Sequence, residues 1–191
     1  MSTLWLRATR NRQRYAARVT VVDLRRFRLR PGESRREAVS VDTEPFHLGG
    51  QRYDAVPTIV PAELDVSRAS GAMVLDLRFD VTLSGPCMRC LGHAEVAIDA
   101  SAREVHDLDG QGGDEGGDEL RSDYVVDDRL DIGTWVRDAV ALSLPEQILC
   151  RPDCAGLCPV CGKDLNVEPH EHVEQTTDPR WAALQDLRDS L

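Results

Sequence analysis

The first half of the chain shows a regular alternation of apolar and polar residues. Between residues 73 and 83 every odd-numbered residue is apolar, and all but one of the residues between them are polar or charged. This period is typical of an antiparallel strand with one buried face. A second alternating stretch, residues 96–102, follows the turn-like segment 87–93, so the two stretches predict a hairpin in one sheet.

Two further stretches are weaker strand candidates because their alternation is less regular. They are residues 19–24 and 54–66. Pro57 and Pro61 interrupt the second stretch, and proline lacks the N–H group that a central strand donates to its neighbours. We therefore expect residues 54–66 to form an edge strand.

Helical periodicity replaces the alternation in the second half of the chain. Asp131 is a suitable N-cap, and apolar residues recur after it at helical spacing until Pro145 ends the pattern. A shorter amphipathic helix is expected after Asp178 and Pro179, docked on the sheet in preference to a partner. The apolar residues of the two helices are Ile132, Trp135, Val136, Ala139, Val140 and Leu144, and then Trp181, Leu184 and Leu187.

Length and composition place the chain among soluble globular proteins. Its 191 residues suit one domain, or one domain with a small appendage, and 41% of them are hydrophobic and 29% charged. No apolar run approaches the ~20 residues that span a bilayer, and no apolar stretch marks a secretory signal. Lysine occurs once beside 22 arginines, which is typical of GC-rich coding. We expect a bacterial cytoplasmic protein that is neither membrane-bound nor stapled by disulfides.

Charge is divided unevenly along the chain. Residues 1–36 carry 11 arginines and two acidic residues, a net charge of +9, so the remainder stands at −19 and the total at −10. The Arg-rich stretch 1–18 is expected to be a flexible extension, although organelle transit peptides have a similar composition. Because an acidic body is repelled by phosphate, any binding of nucleic acid would have to use the basic residues.

These elements predict an α+β fold: an antiparallel sheet that could close into a barrel, one packed helix, a Cys-rich loop and a short C-terminal helix. The predicted units are a basic extension over 1–18, the sheet domain with its packed helix over 19–148, and the Cys-rich loop with the C-terminal helix over 149–191. Within the sheet domain, residues 106–123 hold five glycines and seven acidic residues, which predicts a mobile loop.

Six cysteines fall into two groups. Cys87 and Cys90 form a C-x-x-C pair, and the other four lie within residues 150–161. Disulfides are disfavoured in a cytosolic chain, whereas Zn²⁺ is bound by four thiolates in a tetrahedron, and a C-P-x-C-G turn aims two sulfurs at one metal. The sequence therefore predicts a bound Zn²⁺ ion.

Two sets of four zinc ligands compete. The favoured set is local and could wrap one zinc ion without help from the sheet, leaving the C-x-x-C pair as free thiols or as a half-site for an external ligand. The alternative is a zinc ribbon that staples the loop to the hairpin. His170, His172 and His93 are reserve ligands, although exposed histidines in a polar linker are the simpler interpretation. The favoured set is Cys150, Cys154, Cys158 and Cys161, and the alternative set is Cys87, Cys90, Cys158 and Cys161.

A rival interpretation of the C-x-x-C pair is thiol–disulfide exchange, with Arg89 lowering the pKa of a thiol. That chemistry usually places the pair at a helix N-terminus, whereas Cys87 and Cys90 lie between two predicted antiparallel strands. The sequence contains no G-x-S-x-G, P-loop, H-E-x-x-H or dinucleotide-binding glycine pattern. We therefore expect neither an enzyme nor a small-molecule substrate.

Several features in a fixed order carry a family resemblance. They are Cys87-Met-Arg-Cys90-Leu91 after an alternating strand, the acidic loop, a helix ending in Leu142-Ser-Leu-Pro145, Cys154-Ala-Gly-Leu-Cys158-Pro-Val-Cys161-Gly-Lys-Asp-Leu165-Asn166, and Asp178-Pro-Arg-Trp-Ala-Ala-Leu184. Together they resemble the YceD family, the large ribosomal RNA subunit accumulation proteins, over residues 21–187. The actinobacterial type is the most similar.

The resemblance implies a non-enzymatic factor needed for the 23S ribosomal RNA to accumulate, through synthesis, processing or large-subunit assembly. Its implied partners are that RNA or a precursor particle, contacted directly or indirectly, and the ribosomal protein L32. The zinc would be structural. The alternative is a zinc-stabilised interaction or regulatory module that binds a ribosomal protein such as L32 without touching RNA.

For phosphate contacts the candidates are the densest arginine cluster, because the guanidinium fork can bind phosphate with two parallel hydrogen bonds. An acidic body could at the same time attract a basic ribosomal protein. The candidate arginines are Arg25, Arg26, Arg28, Arg30, Arg35 and Arg36.

Overall fold

The computed structural model describes residues 19–108 and 121–172. The predicted extension 1–18, the predicted helix after Asp178 and most of the acidic loop lie outside these residues. The described elements are β1 (Val21–Asp23), a 3-10 turn (Leu24–Arg26), β2 (Ser34–Asp42), β3 (Phe46–Leu48), β4 (Gln51–Val56), β5 (Ile59–Arg68), β6 (Ala72–Pro86), β7 (His93–Asp107), β8 (Val125–Val126), β9 (Arg129–Asp131) and α1 (Ile132–Leu142).

The larger sheet is antiparallel, and its centre is the long hairpin of β6 and β7. These strands pair over their whole length, from Ala72 opposite Asp107 to Pro86 opposite His93. The odd-numbered apolar residues of β6 are buried, as their alternation predicts. β5 pairs with the edge of β6 that lies opposite β7, and β2 pairs in turn with β5. The predicted hairpin is therefore confirmed.

The stretch 54–66 is split into two strands, and the expectation of an edge position is wrong. Pro57 separates β4 from β5, and both strands pair with the same edge of β6 because β7 occupies the other edge. β5 lies between β2 and β6, while β3 pairs with β4. Pro61 is tolerated inside β5 because pairing with β6 begins only at Ala62.

The sheet does not close into a barrel. Among the described strands, β2 pairs only with β5 and β7 only with β6, so both remain sheet edges. Helix α1 contacts both of these edge strands and covers the core between them. Each large apolar side chain that the helix buries, such as Trp135 and Val136, contributes roughly 1.5–3 kcal/mol. An open antiparallel sheet with one packed helix confirms the predicted α+β class.

A small second sheet and an N-cap fix where the helix begins. β1, β9 and β8 form this antiparallel sheet in that order, which places part of the predicted strand 19–24 in it. The Asp131 carboxylate accepts the N–H of Thr134 at 3.0 Å, so the predicted N-cap is confirmed. Among the described residues, no helix has the length and apolar character that crossing a bilayer requires.

After α1 the chain returns to the tip of the β6–β7 hairpin. Ile148 is buried there, and its backbone oxygen accepts the N–H of Met88 at 2.9 Å. The Ile148 N–H donates in return to the sulfur of Met88 at 3.4 Å. These two contacts place Cys150 beside Cys87, which lies 63 positions earlier in the sequence.

Candidate metal centres

The tip of the β6–β7 hairpin holds the first C-x-x-C pair in a tight loop. The Cys87 N–H donates to the Gly92 oxygen at 2.6 Å, and the Leu91 N–H donates to the Cys87 oxygen at 3.0 Å. Leu91 adopts the left-handed conformation, with φ of 60°. This turn directs the thiols of Cys87 and Cys90 to the same side.

Two cysteines that follow α1 complete this group, which we call the hairpin cluster: Cys87, Cys90, Cys150 and Cys154. The sulfurs of Cys87 and Cys154 are 3.8 Å apart, and those of Cys90 and Cys150 are 3.7 Å apart. All four sulfurs lie within 4.8 Å of one another. A tetrahedral ion with metal–sulfur bonds of about 2.3 Å has sulfur–sulfur edges of about 3.8 Å, so these two distances match such edges and the cluster could hold one metal ion.

Arg89 ties the two halves of the hairpin cluster together. Its guanidinium donates to the Gln147 side-chain oxygen at 3.0 Å and to the Cys154 backbone oxygen at 3.1 Å. Its own backbone oxygen accepts the Leu157 N–H at 3.0 Å. A Cβ atom at Gly156 would come within 3.1 Å of that oxygen, and its φ of 80° also favours glycine. Arg89 therefore holds the backbone of residues 154–157 against the hairpin tip.

The thiols of the hairpin cluster have pKa values shifted in opposite directions. Burial opposes ionisation of Cys87, but N–H donors from Cys90, Arg89 and Cys150 lower its pKa to about 6. Desolvation and the neighbouring thiols raise the pKa of Cys150 to about 12. Closely packed thiols cannot all ionise unless a cation balances their charge, and a bound metal ion could supply that charge.

The second C-x-x-C pair repeats the backbone pattern of the first. The Cys158 N–H donates to the Lys163 oxygen at 2.8 Å, and the Gly162 N–H donates to the Cys158 oxygen at 2.9 Å. Gly162 has a φ of 74° and occupies the position that Leu91 has in the hairpin tip. N–H donors from Cys161, followed by Val160, lower the pKa of Cys158 to about 6 against the effect of desolvation.

Two histidines complete this second group, which we call the loop cluster: Cys158, Cys161, His170 and His172. The sulfur of Cys161 is 3.1 Å from Nε2 of His170, and the two imidazole rings are 4.9 Å apart. Nδ1 of His170 lies 2.7 Å from the Glu168 carbonyl, which can only accept a hydrogen bond. Nδ1 therefore carries the proton, and in the neutral ring Nε2 offers its lone pair to the cluster.

Asn166 connects the two clusters. Its amide nitrogen donates to the Cys154 sulfur at 3.5 Å, and its amide oxygen accepts the N–H of Ala155 at 2.8 Å and a guanidinium N–H of Arg151 at 2.7 Å. The Leu165 N–H donates to the Gly156 oxygen at 2.9 Å. The loop that carries one cluster therefore packs directly on the other.

The structure divides the predicted zinc ligands differently from either predicted set. Cys150 and Cys154 of the favoured set lie with the hairpin cysteines, whereas Cys158 and Cys161, common to both sets, lie with the two reserve histidines. His93 instead contacts Glu95 at 3.3 Å. The hairpin pair also lies between two strands and not at a helix N-terminus, so the structure lacks the setting that thiol exchange usually needs.

The predicted RNA-contacting arginines lie around the 3-10 turn and the start of β2, and half of them form ion pairs. Arg25 pairs with Asp23 at 3.3 Å, Arg26 with Glu37 at 2.7 Å, and Arg36 with both Glu63 and Asp65 at 3.2 Å. Within the part of the chain that the structure describes, the side chains of the remaining three form no ion pair. These are Arg28, Arg30 and Arg35.

Sequence reasoning missed the roles of Arg89 and Asn166. Both contact residues that are more than ten positions away in the sequence, and a local sequence pattern does not predict contacts of this kind. The histidines of the loop cluster did carry a signal, because His170 and His172 alternate nine and eleven positions after Cys161.

Comparison with known proteins assigns the segment that carries both clusters to a protein family. Residues 75–188 match the family described as large ribosomal RNA subunit accumulation protein YceD. An uncharacterised protein of Mycobacterium tuberculosis is 32% identical over 176 residues, which is 92% of this chain and 84% of that protein.

Two more distant relatives extend the similarity beyond mycobacteria. The uncharacterised protein YlbN of Bacillus subtilis is 34% identical over 57% of this chain and 64% of its own length. A chloroplastic protein of Zea mays, named a YCED homolog of the same accumulation proteins, is 32% identical over 57% of this chain and 46% of its own length. No solved structure matches the chain.

Proposed function

The chain belongs to the YceD family of large ribosomal RNA subunit accumulation proteins, and on that premise we propose that it is needed for 23S ribosomal RNA to accumulate. The observation that carries this proposal is the family match over residues 75–188, which includes every cysteine of both clusters. The factor would act in synthesis, processing or assembly of the large subunit, in the cytoplasm.

A non-enzymatic role agrees with the form of the two clusters. In the hairpin cluster Cys87 and Cys154 are almost completely buried, so neither of these two sulfurs is open to a substrate. Four thiolates without an open position make a structural zinc site, whereas a catalytic site keeps one position for water or substrate. The cofactor we propose is therefore structural Zn²⁺, which holds the segment after α1 on the hairpin tip.

Direct contact with the RNA or a precursor particle would use the arginines that have no acidic partner among the described residues. Arg28 and Arg30 are exposed and lie between the 3-10 turn and β2, with Arg35 close by at the start of that strand. Arginine is well suited to phosphate because its guanidinium donates two parallel hydrogen bonds. Such contacts would weaken as salt concentration rises.

The ion pairs of the other arginines favour a second candidate function. Arg36 is held between Glu63 and Asp65, and Arg26 is paired with Glu37, so part of the positive charge is neutralised within the fold. The rest of the chain is strongly acidic. This distribution favours a basic protein partner such as ribosomal protein L32, with the effect on RNA being indirect.

Copurification from the native cells tests the function. The tagged chain is purified at low salt, and its RNA and proteins are identified before and after nuclease treatment. We expect 23S ribosomal RNA or large-subunit precursors in the eluate, and a lower level of 23S RNA in a deletion strain. Normal 23S RNA in that strain would contradict the proposal.

A matched pair of variants separates direct RNA contact from protein contact. Arg28→Ala with Arg30→Ala should reduce recovery of RNA if phosphate contact is direct, whereas Arg52→Ala with Arg78→Ala removes the same charge elsewhere and should not. Recovery of L32 that survives nuclease and is equal in both variants would favour the protein-interaction module.

A further inference from the structure

We propose that the chain binds two metal ions at separate sites, a tetrathiolate site formed by the hairpin cluster and a mixed site of two thiolates and two imidazoles formed by the loop cluster. The proposal rests on zinc binding by the cysteines, but it does not depend on a role in RNA accumulation. It differs from both single-ion sets because each of those takes two cysteines from each observed cluster and so divides both clusters.

The grouping of the ligand atoms indicates two ions. Within each cluster all four ligand atoms lie within 4.8 Å of one another, which one tetrahedral ion can bridge. The sulfurs of Cys87 and Cys154 are 3.8 Å apart, while the sulfur of Cys161 lies 3.1 Å from Nε2 of His170. Four donors in each group complete two tetrahedra and leave no cysteine over.

Each cluster is built in the same way, from a C-x-x-C turn and a second pair of ligands. In both turns the N–H of the first cysteine donates to the residue five positions later, and its oxygen accepts the N–H of the residue four positions later. Leu91 and Gly162 take the same left-handed conformation at that fourth position. Each turn presents two sulfurs, and a separate second pair of ligands lies beside each of them, Cys150 with Cys154 in one cluster and His170 with His172 in the other.

The mixed site shows the orientation that a metal-binding histidine needs. Nδ1 of His170 donates to the Glu168 carbonyl, which fixes the ring and leaves Nε2 facing Cys161. Glu168 also forms an ion pair with Lys163 at 2.9 Å, which joins the two ends of the loop. Two thiolates with two imidazoles are a standard zinc donor set.

The two sites are coupled through the short segment between them. Cys154 and Cys158 are separated by three residues, and the Leu157–Asp164 bridge pairs this segment with the following turn. Asn166 lies at the end of that turn and donates to the Cys154 sulfur. Metal binding at the loop cluster would therefore hold Asn166 in place, and with it the hydrogen bond that Asn166 donates to the Cys154 sulfur of the hairpin cluster.

Native mass spectrometry of the full chain, loaded with zinc and freed of loosely bound metal, tests this division. We expect two zinc ions in the unaltered chain and in the control His93→Ala. One zinc ion should remain in Cys154→Ser and in the double variant His170→Ala with His172→Ala. A single zinc ion in the unaltered chain, or two in the double variant, would overturn the proposal.

Cobalt substitution of the unaltered chain keeps the test independent of variants that fail to fold. Thiolate-to-cobalt charge-transfer absorption grows with the number of thiolate ligands, so a titration should saturate at two equivalents and contain a strong and a weaker component. Saturation at one equivalent with a single tetrathiolate spectrum would contradict the second site.

Discussion

The hairpin cluster and the loop cluster use the same C-x-x-C turn for different structural purposes. The first joins residues more than 50 positions apart and buries two of its sulfurs between the hairpin and the segment after α1. The second joins residues 158–172 and is largely exposed. Closing a long loop removes more freedom from the unfolded chain than closing a short one, so the ligand positions predict unequal contributions to stability.

The largest effect is expected from the hairpin cluster. Cys154→Ser should remove one metal ion and leave buried thiols without compensation, lowering the free energy of unfolding by roughly 4 kcal/mol or more. Chemical denaturation measures the change, and Ala97→Ser on the exposed side of β7 is the control. If Cys154→Ser lowered the free energy of unfolding by less than the double variant His170→Ala with His172→Ala does, the hairpin cluster would not be the more stabilising of the two sites.

A smaller effect is expected from the loop cluster. His170→Ala with His172→Ala should cost only about 1–2 kcal/mol, because the metal there closes a short and exposed loop. Hydrogen exchange should show faster exchange in residues 156–168 and unchanged protection in β6 and β7. Loss of protection throughout the sheet would show that the two clusters are not separable.

Arg89 tests how the hairpin cluster is assembled. Arg89→Ala removes the hydrogen bonds to Gln147 and to the Cys154 oxygen, and we expect a loss of about 1–2 kcal/mol with the metal content unchanged. Thermal unfolding together with zinc analysis measures both quantities. Arg78→Ala, on the exposed side of β6, is the matched control and should change neither.

The smallest effect compares the two turns at equivalent positions. Leu91 is 55% exposed and has a φ of 60°, so Leu91→Gly should relieve backbone strain and stabilise the chain by up to about 1 kcal/mol. Gly162→Ala places a Cβ atom on the same conformation, with no neighbour within 4 Å, and should destabilise by about 1 kcal/mol. Changes of the same sign would show that the two turns are not equivalent.

Much of the fold follows from local patterns in the sequence. The alternation of residues 73–83 predicts the central strand because one face of β6 is buried, and the Asp131 side chain caps the helix that it is predicted to cap. The edge assignment of residues 54–66 failed for a tertiary reason. The break at Pro57 places β4 and β5 end to end along β6, and no pattern within the stretch reveals this.

The division of the ligands also depended on tertiary structure. Spacing shows that Cys150 and Cys154 are near Cys158, but it does not show that Ile148 pairs with Met88 and carries the first two to the hairpin tip. Sequence proximity therefore favoured a local set of four cysteines. The residue types indicate groups that could hold a metal ion, whereas the neighbours of each thiol depend on how the chain folds.

Zinc X-ray absorption spectroscopy of the unaltered, zinc-loaded chain tests the two-site division most directly. A tetrathiolate site and a two-thiolate, two-imidazole site together predict an average of about three sulfur ligands near 2.3 Å and about one nitrogen ligand near 2.0–2.1 Å per zinc ion. A shell of four sulfur ligands without nitrogen would contradict the division and support a single site made of cysteines.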